Sequence, residues 1–144
     1  MIFGRKKRKI VRLLVVEDEP LVAFDTEYFL AESGFQIVGT VDSAAQAIAL
    51  VGSAAGIDLV LADMNLADGS GMDVARAARL RDVPVLFVTG NCPPEAEGIA
   101  AGCLDKPYAQ RDLLAAIAAI EARVDGKPAK RLPRGLRLFE QAAG

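Results

Sequence analysis

Three carboxylates stand where two apolar runs end. Glu17 and Asp18 follow Leu13-Leu14-Val15-Val16, and Asp63 follows the IDLVLA run of residues 57–62. Hard oxygen donors of this kind are ligands for Mg²⁺, which takes an octahedral shell and keeps several of its waters. Two further residues close apolar stretches in the same manner: Thr89 after PVLFV (84–88), and Lys106 just past Cys103-Leu104. With a cation on the acidic group, an oxygen of Asp63 can act as a nucleophile towards phosphorus. The new phosphoryl oxygens then need positive or hydrogen-bonding partners. Mg²⁺, the Lys106 ammonium and the Thr89 hydroxyl can each supply one.

For these five side chains to meet, their strands must end at one sheet edge. Short apolar runs rich in Val, Leu and Ile read as strands buried on both faces, and open parallel sheets keep their chemistry at the C-terminal edge of such strands. The chain supplies strands at about 10–16, 35–41, 57–62 and 84–88, with a stub at 103–104. Helical stretches lie between them. One starts at Pro20 and ends at Gly34, with Leu21, Val22, Phe24, Phe29 and Leu30 as its apolar face. A second is capped by Ser43 and carries Ala44, Ala47, Ile48 and Val51, and a third runs over 71–80. Residues 93–101 leave room for a short helix only, and a last helix over 110–124 presents Leu113, Leu114, Ile117 and Ile120. The alternation predicts an α/β fold, a five-stranded parallel sheet doubly wound with helices on both faces.

Composition agrees and excludes other classes. At 144 residues the chain holds one domain of 10–124, a basic arm at 1–9 and a Pro/Gly-broken tail at 125–144. No apolar run approaches the roughly 20 residues of a membrane span, and no secretory signal is evident. Residues 1–12 carry six basic side chains and no acid, whereas 13–124 carry 6 basic against 17 acidic residues. An acidic core of this kind argues against nucleic acid as its main partner, and the chain holds no DNA-binding domain. The basic arm reads as solvated beside that core. In the tail, Leu132, Leu136, Leu138 and Phe139 space like a small amphipathic element that could dock on the domain or on a partner. Cys92 and Cys103 lack metal-ligand spacing and read as free thiols of a cytoplasmic protein.

In order, the motifs VVEDEP, LADMNLADGSG, VTG and DKPY resemble the response-regulator receiver domain of two-component signalling, over about residues 10–124. The resemblance implies a flavodoxin-like receiver fold and a role for each residue. Asp63 becomes the phosphoacceptor, taking its phosphoryl group from a sensor histidine kinase or a histidine phosphotransfer protein. Glu17, Asp18 and Asp63 hold Mg²⁺ together with the main-chain carbonyl of Asn65, and Thr89 and Lys106 bind the phosphoryl group. Phe87-Val88-Thr89-Gly90 with Lys106-Pro107-Tyr108 is also similar to a mostly stand-alone subgroup named for a Phe-Ala-Thr-Gly-x-Tyr motif.

The departures from the family bear on signalling. The aromatic that receivers place just before the Lys is missing, because the stretch is Cys103-Leu104-Asp105. Helix four is short, and Ala67 stands where a Pro is common. The expectation is a stand-alone regulator, not an enzyme beyond its own phosphorylation and dephosphorylation, that signals by protein contact or by relaying or draining phosphoryl groups. A downstream protein would read its state through residues 89–104. The competing readings are a pseudo-receiver scaffold that is never phosphorylated, a haloacid-dehalogenase-like phosphatase and a flavodoxin-like cofactor binder. The phosphatase would want an acid where Asn65 stands. The cofactor binder would want a phosphate loop where Glu17-Asp18-Glu19 repels one.

Overall fold

Leu13, Leu14, Val15 and Val16 are all buried, so the strand that carries them has both faces covered. The computed structural model describes residues 8–53, 56–128 and 131–140. In chain order the elements are β1 (Arg12–Val16), α1 (Pro20–Glu32), β2 (Gln36–Val41), α2 (Ala44–Ser53), β3 (Leu59–Ala62), β4 (Asn65–Leu66) and β5 (Gly69–Ser70). They continue with α3 (Gly71–Arg79), β6 (Val85–Thr89), a 3-10 turn (Pro94–Gly98), β7 (Gly102–Asp105), α4 (Gln110–Val124) and β8 (Leu136–Leu138). The main sheet has the order β2-β1-β3-β6-β7-β8, parallel throughout except for the last pair.

Period-two alternation sorts the strand residues into two cores. Leu13, Val15, Leu61, Leu86 and Leu104 face α1 and α4, meeting Leu30, Leu113, Ile117 and Ile120. Leu14, Val16, Val60, Phe87 and Cys103 face α2 and α3, meeting Ala47, Val51, Val74 and Ala78. This is the predicted doubly wound α/β sheet, with the site strands β1, β3, β6 and β7 side by side at its centre.

The sheet has six strands rather than five. The tail folds back, and Leu136–Leu138 pairs antiparallel with β7. Gly102 makes room for it, since a Cβ there would stand 2.7 Å from the Arg137 carbonyl oxygen. Asp105 N–H donates to Gly135 O and Phe139 N–H to Ala101 O, both at 2.9 Å. Buried Leu136 and Phe139 secure the strand, so the amphipathic tail element docks on its own domain.

Four local expectations are corrected. The short helix expected over 93–101 is a 3-10 turn, because Pro93 and Pro94 remove two backbone donors and little chain remains before β7. Cys92 and Cys103 are not free thiols but form a disulfide, since the loop after β6 folds back against β7 and sets their Cα atoms 6.5 Å apart. On α1 the inward row is Val22, Thr26, Phe29 and Leu30, whereas Leu21 is 80% and Phe24 65% exposed. With Tyr28 (61% exposed) they form a solvent-facing apolar stripe at helical spacing. On α2, Ile48 likewise turns outward while Ala44, Ala47 and Val51 are buried.

The basic arm is seen only in part, because 1–7 lie outside the described residues. Arg8 stacks 4.5 Å over the Phe35 ring, and Glu121 Oε2 accepts from the N–H groups of Lys9 and Ile10 at 2.7 and 2.8 Å. No helix among the described residues is long and apolar enough to cross a membrane.

Candidate functional site

Parallel pairing aligns the strand ends that carry the chemistry. Val16 lies opposite Ala62 and Thr89 opposite Asp105, so Glu17, Asp63, Thr89 and Lys106 emerge on one rim. Backbone hydrogen bonds continue past the strands: Asp63 N–H to Val16 O and Lys106 N–H to Thr89 O, both at 3.0 Å. The rim is therefore an extension of the ladder.

Among the described residues, Glu17, Asp18 and Asp63 each offer a carboxylate oxygen within 4.8 Å of the others. Glu17 is nearly buried at 7% exposure, and Asp18 and Asp63 are half-buried. Lys106 Nζ bridges Glu17 Oε1 at 3.0 Å and Asp63 Oδ2 at 3.1 Å. Two like charges about 4 Å apart repel by roughly 4 kcal/mol at an effective dielectric near 20, so three carboxylates and one ammonium leave a strained excess of two negative charges. A divalent cation balances that excess, and an all-oxygen donor set suits Mg²⁺. The residues present therefore fit the ion.

Burial disfavours the charged ammonium of Lys106, but its hydrogen bonds to Glu17 and Asp63, reinforced by their charges, outweigh this and raise its pKa above the ordinary lysine value. Thr89 is 2% exposed, and its hydroxyl makes a small turn with Asn91, accepting from Asn91 N–H at 3.3 Å. Asn65 lies in β4, directly beyond the site, and its N–H donates to Asp63 Oδ1 at 3.3 Å. The structure thus gathers Glu17, Asp18, Asp63 and Lys106 into one cluster, with Asn65 bonded to Asp63 and Thr89 on the strand between those of Asp63 and Lys106.

Sequence reasoning misses the part played by Gly71, and it reads Asp68 as a solvated loop or cap residue without naming the helix it caps. A Cβ at Gly71 would overlap the Asp63 carbonyl oxygen, and Gly71 N–H donates to Met64 O at 2.8 Å, so α3 begins hard against the backbone of Asp63. Asp68, in the β4–β5 turn, accepts from Ala44 N–H at 2.7 Å and Ala45 N–H at 3.1 Å at the start of α2. Those bonds, Ala44 first, hold its carboxyl below the usual range. The glycine-rich spacing after Asp63 carries the first signal, but nothing local pairs Asp68 with Ala44.

Known proteins share the sequence pattern and the fold. Residues 13–118 match the response regulator receiver domain family. The chain is 34% identical over 123 residues to the cell cycle response regulator CtrA of Brucella ovis, covering 81% of this chain and 52% of that protein. It is 35% identical over 79 residues to the phyllosphere-induced regulator PhyR of Methylorubrum extorquens, covering 54% of this chain and 30% of that protein. The chain thus spans about half or less of the length of these curated relatives. In structure it is similar to a response regulator receiver protein from Sinorhizobium medicae, at TM-score 0.67 and 29% identity, covering 78% of this chain and 94% of that one. A CheY-like receiver domain protein from Methanospirillum hungatei aligns at TM-score 0.69 and 25% identity, over 82% of this chain and 96% of that one. With the family's motifs on one sheet rim and its match spanning residues 13–118, this chain belongs to the response regulator receiver domain family.

Proposed function

We propose that the chain accepts a phosphoryl group on Asp63 from the phosphohistidine of a sensor histidine kinase or a histidine phosphotransfer protein. An Asp63 oxygen forms the new bond to phosphorus as the P–N bond breaks, and the imidazole leaves with that electron pair. Glu17, Asp18, Asp63 and the Asn65 carbonyl would hold Mg²⁺, which when bound draws charge from the phosphoryl oxygens. Lys106 releases Asp63 Oδ2 and donates to a phosphoryl oxygen, staying charged throughout. Thr89 turns its hydroxyl from Asn91 towards another. Beyond forming and losing this phosphoryl group, the chain performs no turnover of its own. It passes its state on by protein contact or by phosphoryl relay.

The observation that carries this reading is the Lys106 bridge between Glu17 and Asp63. One ammonium already placed on the acceptor carboxylate is a partner ready for a phosphoryl oxygen. The Leu21, Phe24 and Tyr28 stripe starts near the Asp18 side of the rim and offers a helical phosphodonor an apolar surface. Labelling with acetyl phosphate and Mg²⁺ tests the proposal. The wild-type chain should gain one phosphoryl group and Asp63→Asn none. Label that persists in Asp63→Asn would show the acceptor to be another residue.

A further inference from the structure

Cys92 and Cys103 take no part in the chemistry above, yet their bond lies at its margin. Cys92 stands three residues beyond Thr89 in the loop leaving β6 and is half-buried, whereas Cys103 sits in β7 at 0% exposure. Between Thr89 and Cys92, Asn91 occupies the Thr89 hydroxyl: its N–H donates at 3.3 Å, and its carbonyl lies 3.5 Å from Oγ1. The residue next to Asn91 is thus tied covalently to the neighbouring strand.

Ala101 is fixed by the ladder, its N–H donating to Val85 O and its carbonyl accepting from Phe139 N–H, both at 2.9 Å, whereas residues 90–95 ahead of it have no regular ladder partner. The only regular structure over 90–101 is the 3-10 turn, a poorly bonded geometry, and only Ala96 and Ala100 there are fully buried. The Cys92–Cys103 bond is the covalent tie between the first residues of this segment and β7.

We propose that Cys92–Cys103 is a reversible thiol–disulfide modification site that controls the Thr89 loop. Bonded, it keeps Asn91 on the Thr89 hydroxyl. Reduced, it frees residues 90–95 and lets that hydroxyl turn to a phosphoryl group on Asp63. The coupling to phosphorylation rests on Asp63 being the phosphoacceptor; the control of the loop does not. The reductant is a dithiol. Its first thiolate attacks Cys92 Sγ, the more accessible sulfur, and the S–S electron pair leaves on Cys103 sulfur, which takes a proton. The second thiol then displaces Cys92, which takes the other proton, and the reductant departs as its own disulfide. Two electrons and two protons pass to the protein. A disulfide oxidant such as glutathione disulfide reverses the change.

The full chain is equilibrated in dithiothreitol or in glutathione disulfide, and its thiols are counted by alkylation and mass measurement. Amide exchange and the affinity for beryllofluoride with Mg²⁺ are then compared. Reduction should yield two thiols, counted after quenching in denaturant, with circular dichroism unchanged, speed exchange across 90–95 and tighten beryllofluoride binding several-fold. Cys92→Ser should behave as the reduced form in both buffers. Equal exchange in the two forms, equal measurable affinity, or a bond that opens only when the chain unfolds would overturn the proposal. Beryllofluoride binding to neither form, with the exchange difference intact, would count against the phosphoacceptor reading and support control of the loop.

Discussion

Lys106 reaches back across the sheet to Glu17, its Nζ 3.0 Å from Oε1, and so selects the buried member of the acidic pair rather than Asp18. The same ammonium touches Asp63 at 3.1 Å. The division of labour follows from burial. Glu17, nearly sequestered from water, needs a fixed counter-charge, while the more open Asp18 remains available to a cation.

The lysine pairing has a definite pH signature. Its pKa is raised above the ordinary 10.5, so its stabilising effect is complete below 10.5 and is lost as pH rises through the raised value. Urea midpoints of wild type and Lys106→Met, compared without metal, should differ most at neutral pH and converge above 10.5. A gap that widens at alkaline pH would contradict the pairing. Labelling by acetyl phosphate should fall in Lys106→Met even with saturating Mg²⁺.

Metal dependence should appear at Asp18. Asp18→Asn removes one of the three carboxylates proposed to hold Mg²⁺, and the affinity for the ion should drop by at least the roughly 10-fold typical of losing even an outer-shell partner. Titration of Mg²⁺ against beryllofluoride binding measures this. Chelating the metal from wild type should abolish labelling.

Gly71→Ala should damage the site without touching a ligand. The added methyl collides with the Asp63 carbonyl and lies 3.0 Å from the Phe87 ring, so either α3 or the Asp63 backbone must move. Overpacking of this kind costs about 1–3 kcal/mol. Chemical denaturation should show that loss, with slower labelling of Asp63 alongside it.

The β8 strand should be part of the folding unit. Leu136 is 6% exposed, and Leu136→Ala should cost on the order of 2 kcal/mol, the lower end for buried leucine at a sheet margin. Its loss also bares the β7 edge. Sedimentation of the variant should reveal increased self-association.

The apolar stripe on α1 should matter to a partner and not to the fold. Leu21→Ser with Phe24→Ser should leave stability within about 0.5 kcal/mol for each exposed position. Acetyl phosphate labelling should be unchanged, while transfer from a cognate phosphohistidine protein slows several-fold. Equal slowing with both donors would place the defect inside the site.

The sheet and its rim were legible because their signals are local. Each of Glu17, Asp63 and Thr89 ends an apolar run, Lys106 follows one after a single residue, and parallel pairing does the rest. What was not legible depends on pairs distant in sequence or on direction. The Cys92–Cys103 bond needed the path of the 93–101 segment. The tail strand needed the accident of Gly102, whose missing side chain admits the Arg137 carbonyl. On α1, apolar type misled, since Leu21 and Phe24 fall off the row that Val22, Thr26, Phe29 and Leu30 bury.

The Asp68 cap on α2 has an evolutionary corollary. The turn that follows Asp63 supplies the first hydrogen bonds of a helix that begins 24 residues earlier in the chain. Changes in that turn are therefore not free to drift as surface substitutions usually are. Replacing Asp68 takes the acceptor from the Ala44 and Ala45 N–H groups, leaving Ser43 as the cap of α2, and lengthening the turn would carry the carboxylate away from Ala44. Insertions should accumulate elsewhere, leaving the β4–β5 turn nearly constant in length among sequences that keep an acid at this position.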